Sequence, residues 1–374
     1  MSTRSVVVIF LFGVCLGLSV AGMQFSLQLG STTGDCPSSS YKESLSANAP
    51  PSTTTSSTTS LEPLHILFGM SGNDPGFFEE FQVCLKSVLL NAPHQRATHI
   101  HIMADQEAFQ TLHHTNATHK GIFETIQLQG APWFQDITIS TYNVQSHVDQ
   151  WSEYIRQRVN HQNYPATEHH TVGAYFRLFP QQVIPNPPEF MLYLDTDVAV
   201  MANMAGMLPY ADPTYTFIMS ESCTGVMWIH VPKLDQFWNH YVPQRKWDIR
   251  IEHDQNLILG VAQAFPNDPI VQVLSPTWDL QVAKHWRHVT RQQLLALRPD
   301  GIGLIHYNGG GASKGSSFRV SDFVTKDWAQ DGWAIPALYY RELPWEWVKF
   351  MGRMMVEERG GGGGTIRIQT TTKH

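Results

Sequence analysis

Between about Leu61 and Glu358 the hydrophobic period of the chain alternates, and that alternation limits the fold more than any other feature. His65-Ile-Leu-Phe68 is a short apolar run of strand type. Phe77, Phe81, Cys84, Leu85, Val88 and Leu89 then fall on one helical face. Thr98-His-Ile-His-Ile-Met103 alternates with period two, and Ile137 to Val144 is a further strand. Tyr175 to Val183 reads as a helix carrying Arg177, and Phe190-Met-Leu-Tyr-Leu194 as a buried strand running into Asp195. This order predicts an α/β domain, residues 61–358, with a mostly parallel central sheet and helices on both faces. Ligands of such sheets sit beyond the carboxyl ends of the strands, which is where Asp195 stands.

The two ends of the chain read differently. Arg4 precedes an uncharged apolar run from Val6 to Met23, long enough for a signal anchor. Ser19, Ala21 and Gly22 also suit a cleaved signal peptide, so residues 1–23 are read as one or the other. Residues 24–60 become rich in Ser, Thr and Pro, a composition that buries too little apolar surface to offset its ordering entropy. They are read as a flexible stem open to O-glycosylation. The plan is that of a single-pass type II protein of the Golgi or endoplasmic reticulum membrane with a lumenal domain, secreted if the first segment is cleaved. Asn116-Ala-Thr118 is an N-glycan acceptor pattern. Gly360 to Gly364 and the Thr-rich sequence after it read as a disordered tail, residues 359–374.

Four cysteines do not make a disulfide scaffold; Cys84 and Cys223 are either a pair or two buried thiols. The formal charge of −7, with no clustered Lys/Arg run, excludes an ordinary nucleic-acid binder. An acidic protein with an anionic substrate needs a cation, and Tyr193-Leu-Asp195-Thr-Asp197 offers a place for one. Two carboxylates leaving a buried strand need compensation. Mg²⁺ or Mn²⁺ supplies it, because these ions take a few carboxylates plus substrate phosphates. Farther on, a β-like run ends on His306 and a turn rich in glycine follows, Asn308-Gly309-Gly-Gly-Ala-Ser-Lys314. His is a common metal ligand, and glycine amides with a lysine suit a diphosphate.

Taken in order, Tyr175-Phe-Arg177-Leu, Tyr193-Leu-Asp-Thr-Asp197, Thr224-Gly-Val-Met227, His253-Asp-Gln-Asn256, Trp278-Asp and His306-Tyr-Asn-Gly309 resemble glycosyltransferase family 8. The resemblance spans roughly His65 to Lys314, and Ser275-Pro-Thr-Trp278-Asp-Leu-Gln-Val is most similar to the xyloside and glucoside xylosyltransferases. It implies a GT-A fold, a UDP-sugar donor, Mn²⁺ and retention of anomeric configuration, with a glycan or glycoprotein as acceptor. By the same resemblance Asp195, Asp197 and His306 hold the metal, and Asp195 also reaches the donor. Arg177 lies near the donor sugar or phosphates, Gly225 begins the strand that opens the sugar pocket, and Gly309 and Lys314 meet the diphosphate. Asp254 and Gln255 stand beside the transferred sugar, Gln255 facing the oxocarbenium-like centre.

Departures from the family pattern are visible. Lys314 follows Gly309 by five residues where three is usual, Asn256 replaces a second Asp, and Ser222-Cys-Thr precedes Gly225. Trp278, Trp286 and Trp333 are acceptor-stacking candidates, with core packing the better expectation for each. Two other classes share the motif: a haloacid-dehalogenase-type phosphatase, whose DxD follows its first strand, and a non-catalytic member of the same fold that binds sugar nucleotides or glycans.

Overall fold

The computed structural model describes residues 62–114, 120–158, 173–220, 223–244, 254–282, 301–307, 335–358 and 363–371. The anchor and stem, Asn116-Ala-Thr118, Trp286, Gly309, Lys314 and Trp333 lie outside the described residues. Among the described residues no helix is long and apolar enough to cross a membrane.

The chain opens with β1 (Leu64–Met70), α1 (Pro75–Asn91), β2 (Thr98–Ala104), α2 (Gln106–His113), α3 (Ile122–Ile126), β3 (Pro132–Trp133), β4 (Ile137–Asn143) and α4 (Gln145–Arg158). The middle holds α5 (Pro180–Val183), β5 (Phe190–Leu194), β6 (Val198–Val200), β7 (Phe217–Ser220) and β8 (Cys223–His230). After a helical stretch over residues 231–244 come α6 (Asp254–Ala264), β9 (Val271–Val273), β10 (Leu280–Gln281) and β11 (Leu304–His306). The last elements are α7 (Ile335–Glu342), α8 (Trp345–Glu357) and β12 (Gly364–Thr371).

Nine strands form one sheet in the order β3-β12-β4-β2-β1-β5-β8-β7-β9. Its central run from β12 to β5 is parallel, while β8 is antiparallel to both β5 and β7. Both faces are covered, which is why the strands are nearly continuous apolar runs. Ile66 and Phe68 of β1 pack with Phe81, Leu85 and Val88 of α1. Leu67, between them, belongs to the other face with Trp151 of α4 and Leu257 and Ile258 of α6. A small second sheet, β10-β11-β6, carries the segment after β5.

Three expectations change here. The helix expected from Tyr175 to Val183 is broken into a 3₁₀ turn, Phe176–Leu178, and the short α5. Pro180 has no N–H to continue the first turn, and starts the second. Gly225 is the third residue of β8, not its first. The disordered tail is, over its described part, the strand β12, parallel to β4 with Ile366 opposite Ile137 and Thr371 opposite Tyr142. Ile366 is fully buried, and Gly130 N–H donates to its carbonyl at 2.8 Å. The glycines reflect close approach here: a Cβ on Gly364 would stand 2.2 Å from the backbone of Gln135. A strand that covers the open edge of β4 gains a ladder of hydrogen bonds, which outweighs the glycine-rich approach to it.

Candidate metal and donor site

Asp195 follows the last residue of β5, and its N–H donates to the Gly225 carbonyl at 2.7 Å. Its Oδ1 accepts from the Tyr193 hydroxyl at 2.7 Å and from Arg177 Nη2 at 3.1 Å. Its Oδ2 lies 3.8 Å from His306 Nε2, and Asp197 Oδ1 lies 3.2 Å from the same nitrogen. The residues come from positions more than a hundred apart because β11 returns antiparallel to β6, with His306 opposite Val198. Tyr307 N–H then donates to the Asp197 carbonyl at 2.9 Å and closes the join.

The donor set fits a cation. One atom each from Asp195, Asp197 and His306 lies within 4.8 Å of the others. Asp197 Oδ1 is buried and faces His306 Nε2 at 3.2 Å, with no further hydrogen-bond partner among the described residues. Gly225 leaves the room: a Cβ there would stand 2.1 Å from His306 Cε1 and 2.6 Å from Asp195 Oδ2. Two carboxylate oxygens and one imidazole suit Mn²⁺ or Mg²⁺, with remaining positions for phosphate oxygens. The Asp195 side chain keeps 31 % exposure and that of Asp197 19 %, so a ligand from solvent can reach them.

His306 itself is buried, and a carboxylate fixes its orientation. Its Nδ1 lies 3.2 Å from Asp279 Oδ1, and Asp279 Oδ2 accepts from Gln281 Nε2 at 3.0 Å. Gln281 Nε2 also reaches Ser220 Oγ at 2.7 Å. A carboxylate on Nδ1 points Nε2 at the aspartate pair, the usual second layer around a ligating imidazole. Burial opposes the charged imidazole, but Cys223, Asp197 and Asp279 outweigh it and hold its pKa well above the ordinary value. The cluster thus favours positive charge at this point. Asp279, Cys223 and His306 also lie close enough together for a cation. That triplet is buried throughout, whereas the aspartate pair is open to a phosphate.

Arg177 is the counter-charge. Its Nη1 donates to the Thr224 carbonyl at 2.8 Å and its Nε to the Ala174 carbonyl at 2.9 Å. Its Nε also lies 3.4 Å from Asp254 Oδ2, and its guanidinium carbon sits 3.8 Å from the centre of the Tyr193 ring. Burial would raise the Asp195 carboxyl, yet Arg177, His306 and the Tyr193 hydroxyl hold it below its usual range. Asp254 is buried at the start of α6, and Gln255, half-buried, follows it. The structure therefore brings together Arg177, Asp195, Asp197, Gly225, Asp254 and His306, with Gln255 next in chain.

Asp279 stands in the sequence beside Trp278, and that neighbour is the signal for its place in the site. Glu80, which no motif marks in the sequence, lines a small cavity with Asp197, Thr196 and Tyr307. Burial first, then Asp197, pushes the Glu80 carboxyl up to about 10, so it is neutral at pH 7. Trp278 is core, its ring within 2.5 Å of where a Gly206 Cβ would be and 2.4 Å of a Gly303 Cβ. Cys84 and Cys223 are both buried and do not form a disulfide with each other.

A mixed α/β fold with a carboxylate–imidazole site past the carboxyl end of its fifth strand defines a broad class, and known structures narrow it. No protein-family model and no curated protein matches this sequence. Mouse xyloside xylosyltransferase 1, in its apo form, overlaps with a TM-score of 0.50 at 13 % identity, over 67 % of this chain and 99 % of that one. The galactosyltransferase LgtC, in complex with donor and acceptor sugar analogues, overlaps at 0.44 with 17 % identity, over 76 % and 99 %. GlyE of Streptococcus pneumoniae, also a glycosyltransferase, overlaps at 0.41 with 11 % identity, over 78 % and 63 %. At such identities the likeness to the xylosyltransferase carries the fold alone, and that fold is GT-A.

Proposed function

We propose that the chain is a metal-dependent, retaining glycosyltransferase of the family 8 type. It moves a hexosyl or pentosyl unit, xylose or glucose favoured, from a UDP-sugar to a glycan or glycoprotein in the Golgi or endoplasmic reticulum lumen. The observation that carries the reading is the convergence of Asp195 Oδ2, Asp197 Oδ1 and His306 Nε2 around the space kept by Gly225. Those three residues would hold Mn²⁺ or Mg²⁺, which when bound supplies Lewis-acid charge to the leaving diphosphate.

The chain's own residues do the positioning. Arg177 and Tyr193 fix Asp195 through Oδ1, so Oδ2 is the oxygen left for the site. Arg177 also ties Asp254 to the end of β5, which holds Gln255 near the sugar subsite. In this reading the acceptor hydroxyl attacks from the leaving-group side, a donor phosphate oxygen takes its proton, and Gln255 stabilises the oxocarbenium-like centre. Gly309 and Lys314 share the diphosphate charge. Residues 1–23 anchor the domain to the membrane through the stem of residues 24–60, or are cleaved to release it.

The phosphatase reading fares worse. Its DxD would follow the first strand, whereas Asp195 follows β5 and has Oδ1 committed to Tyr193 and Arg177. A non-catalytic binder of sugar nucleotides would use the same three ligands, and sugar release in the assay below separates it from an enzyme.

The test uses the full chain, Mn²⁺ and a panel of UDP-sugars, with sugar release as the readout. Asp197→Ala and His306→Ala are each expected to lose at least ~10²-fold in turnover, as one preorganised charge is removed. Unchanged turnover in both overturns the reading.

A further inference from the structure

At the other end of the central sheet, β1 and β2 run parallel with His65 opposite His99 and Leu67 opposite His101. That register, with the period of two along each strand, puts three imidazoles on one face. The geometry points to a second cation site, in which His65, His99 and His101 bind a zinc-class divalent ion. It shares no residue with the donor site, and stands whether or not the proposed transfer is right.

One ring nitrogen of each histidine lies within 4.8 Å of a ring nitrogen of both others. His65 Nδ1 and His101 Nε2 are 3.0 Å apart. Tetrahedral Zn–N bonds of ~2.0–2.1 Å place neighbouring nitrogens roughly 3.3 Å apart, so that pair would open slightly while the His99 nitrogen closes in to meet an ion. The outer nitrogens are held. Tyr142 hydroxyl lies 3.1 Å from His101 Nδ1, and Ser140 Oγ lies 2.8 Å from His99 Nε2. Both partners sit on β4 and orient the rings as outer partners of metal-bound histidines do. The rings are already gathered, with centroids of His99 and His101 3.9 Å apart and those of His65 and His101 5.3 Å apart.

Burial lowers the pKa of all three, and for His65 and His101 the neighbouring imidazoles lower it further. Neutral rings are the ligating form. His101 is buried, while His65 and His99 are half-buried and leave an approach for the ion and for a water as fourth ligand. Three imidazoles with an open position favour zinc over the oxygen-seeking Mg²⁺ and Mn²⁺. A bound ion would staple β1 to β2 at the end of the sheet away from the donor site.

The experiment uses the full chain carrying Asp197→Ala, stripped with EDTA and titrated with ZnCl₂ alone. One equivalent of zinc is expected to survive gel filtration, and His65→Asn or His99→Asn should weaken its binding at least tenfold. In the same protein Co²⁺ should give the strong visible bands of a tetrahedral nitrogen site. On the unsubstituted chain, zinc should protect His65 and His99 from diethyl pyrocarbonate, as mapped by peptide mass. No retained zinc in the Asp197→Ala chain overturns the proposal, and so does retention that both His variants leave intact. If the His variants fail to fold, unchanged diethyl pyrocarbonate labelling in the presence of zinc overturns it instead.

Discussion

The two ends of the central sheet gather ligating side chains by different means. Beyond the carboxyl ends, Asp195, Asp197 and His306 come from separate stretches of chain and meet only because β6 and β11 pair. Their charges are balanced by Arg177 and by the Asp279 contact to His306, and the space between them depends on one glycine. Near the amino ends, His65, His99 and His101 meet through the register of two neighbouring strands. There the groups are neutral and need no counter-charge. A site that must admit a charged, phosphate-bearing ligand requires both open space and prepaid electrostatics. A site of imidazoles requires only a strand face.

The contrast breaks most visibly at Gly225. Gly225→Ala places a methyl group where Asp195 Oδ2 and His306 would share a cation. Mn²⁺-dependent turnover should fall by at least ~10²-fold, the scale of an ångström-sized misplacement. Zinc retention near the amino ends should not change. Steady-state kinetics with Mn²⁺ titration and a zinc assay on one preparation measure both, and normal turnover would remove Gly225 from the site. A smaller effect is expected at Asp279. Asp279→Asn keeps the shape but removes the charge beside His306 Nδ1, so Mn²⁺ affinity should weaken by ~10–100-fold. Turnover at saturating Mn²⁺ should largely recover. An unshifted Mn²⁺ dependence would make Asp279 a packing residue only.

What sequence made visible follows the same division. The β5 run into Asp195 was legible because five consecutive apolar residues before a charge can hardly be anything but a buried strand's end. The strand β1 and the apolar stripe of α1 were legible for a similar reason, since the local pattern carries them. The pairing of His306 with Val198 was not, because register between strands a hundred residues apart leaves no local trace; only the family resemblance suggested the ligand set. The contact of Asp279 with His306 was hidden for the same reason. The histidines of β2 were read as an alternating strand, but their partner His65 belongs to another strand, and the parallel register sets the triplet. At the tail, Gly363 and Gly364 looked like freedom and proved to be close contact with Trp133 and Gln135. Glycine in sequence does not distinguish the two.

The smallest expected effect concerns an imidazole that is buried without such company. His113, at the end of α2, packs its ring between Phe109 and Phe123, with centroids at 4.8 and 5.2 Å. Its Nε2 is buried without a hydrogen bond among the described residues, and burial lowers its pKa from 6.5 to about 4. The folded chain therefore refuses a proton that the unfolded chain accepts between those two values. Stability is fully present above about pH 6.5, falls as pH drops through that window, and levels off below about pH 4. Discounted for partial exposure, the slope is ~0.5–1 kcal/mol per pH unit. Chemical denaturation in EDTA from pH 7 to pH 4.5 should show it added to the slope from His65, His99 and His101, and His113→Phe should make the total shallower, because phenyl fits between the same two rings without titrating. Identical slopes in both proteins would contradict the account. Zinc sharpens the comparison further: it should stabilise the protein through the grouped imidazoles of β1 and β2 and leave the His113 contribution to the slope unchanged.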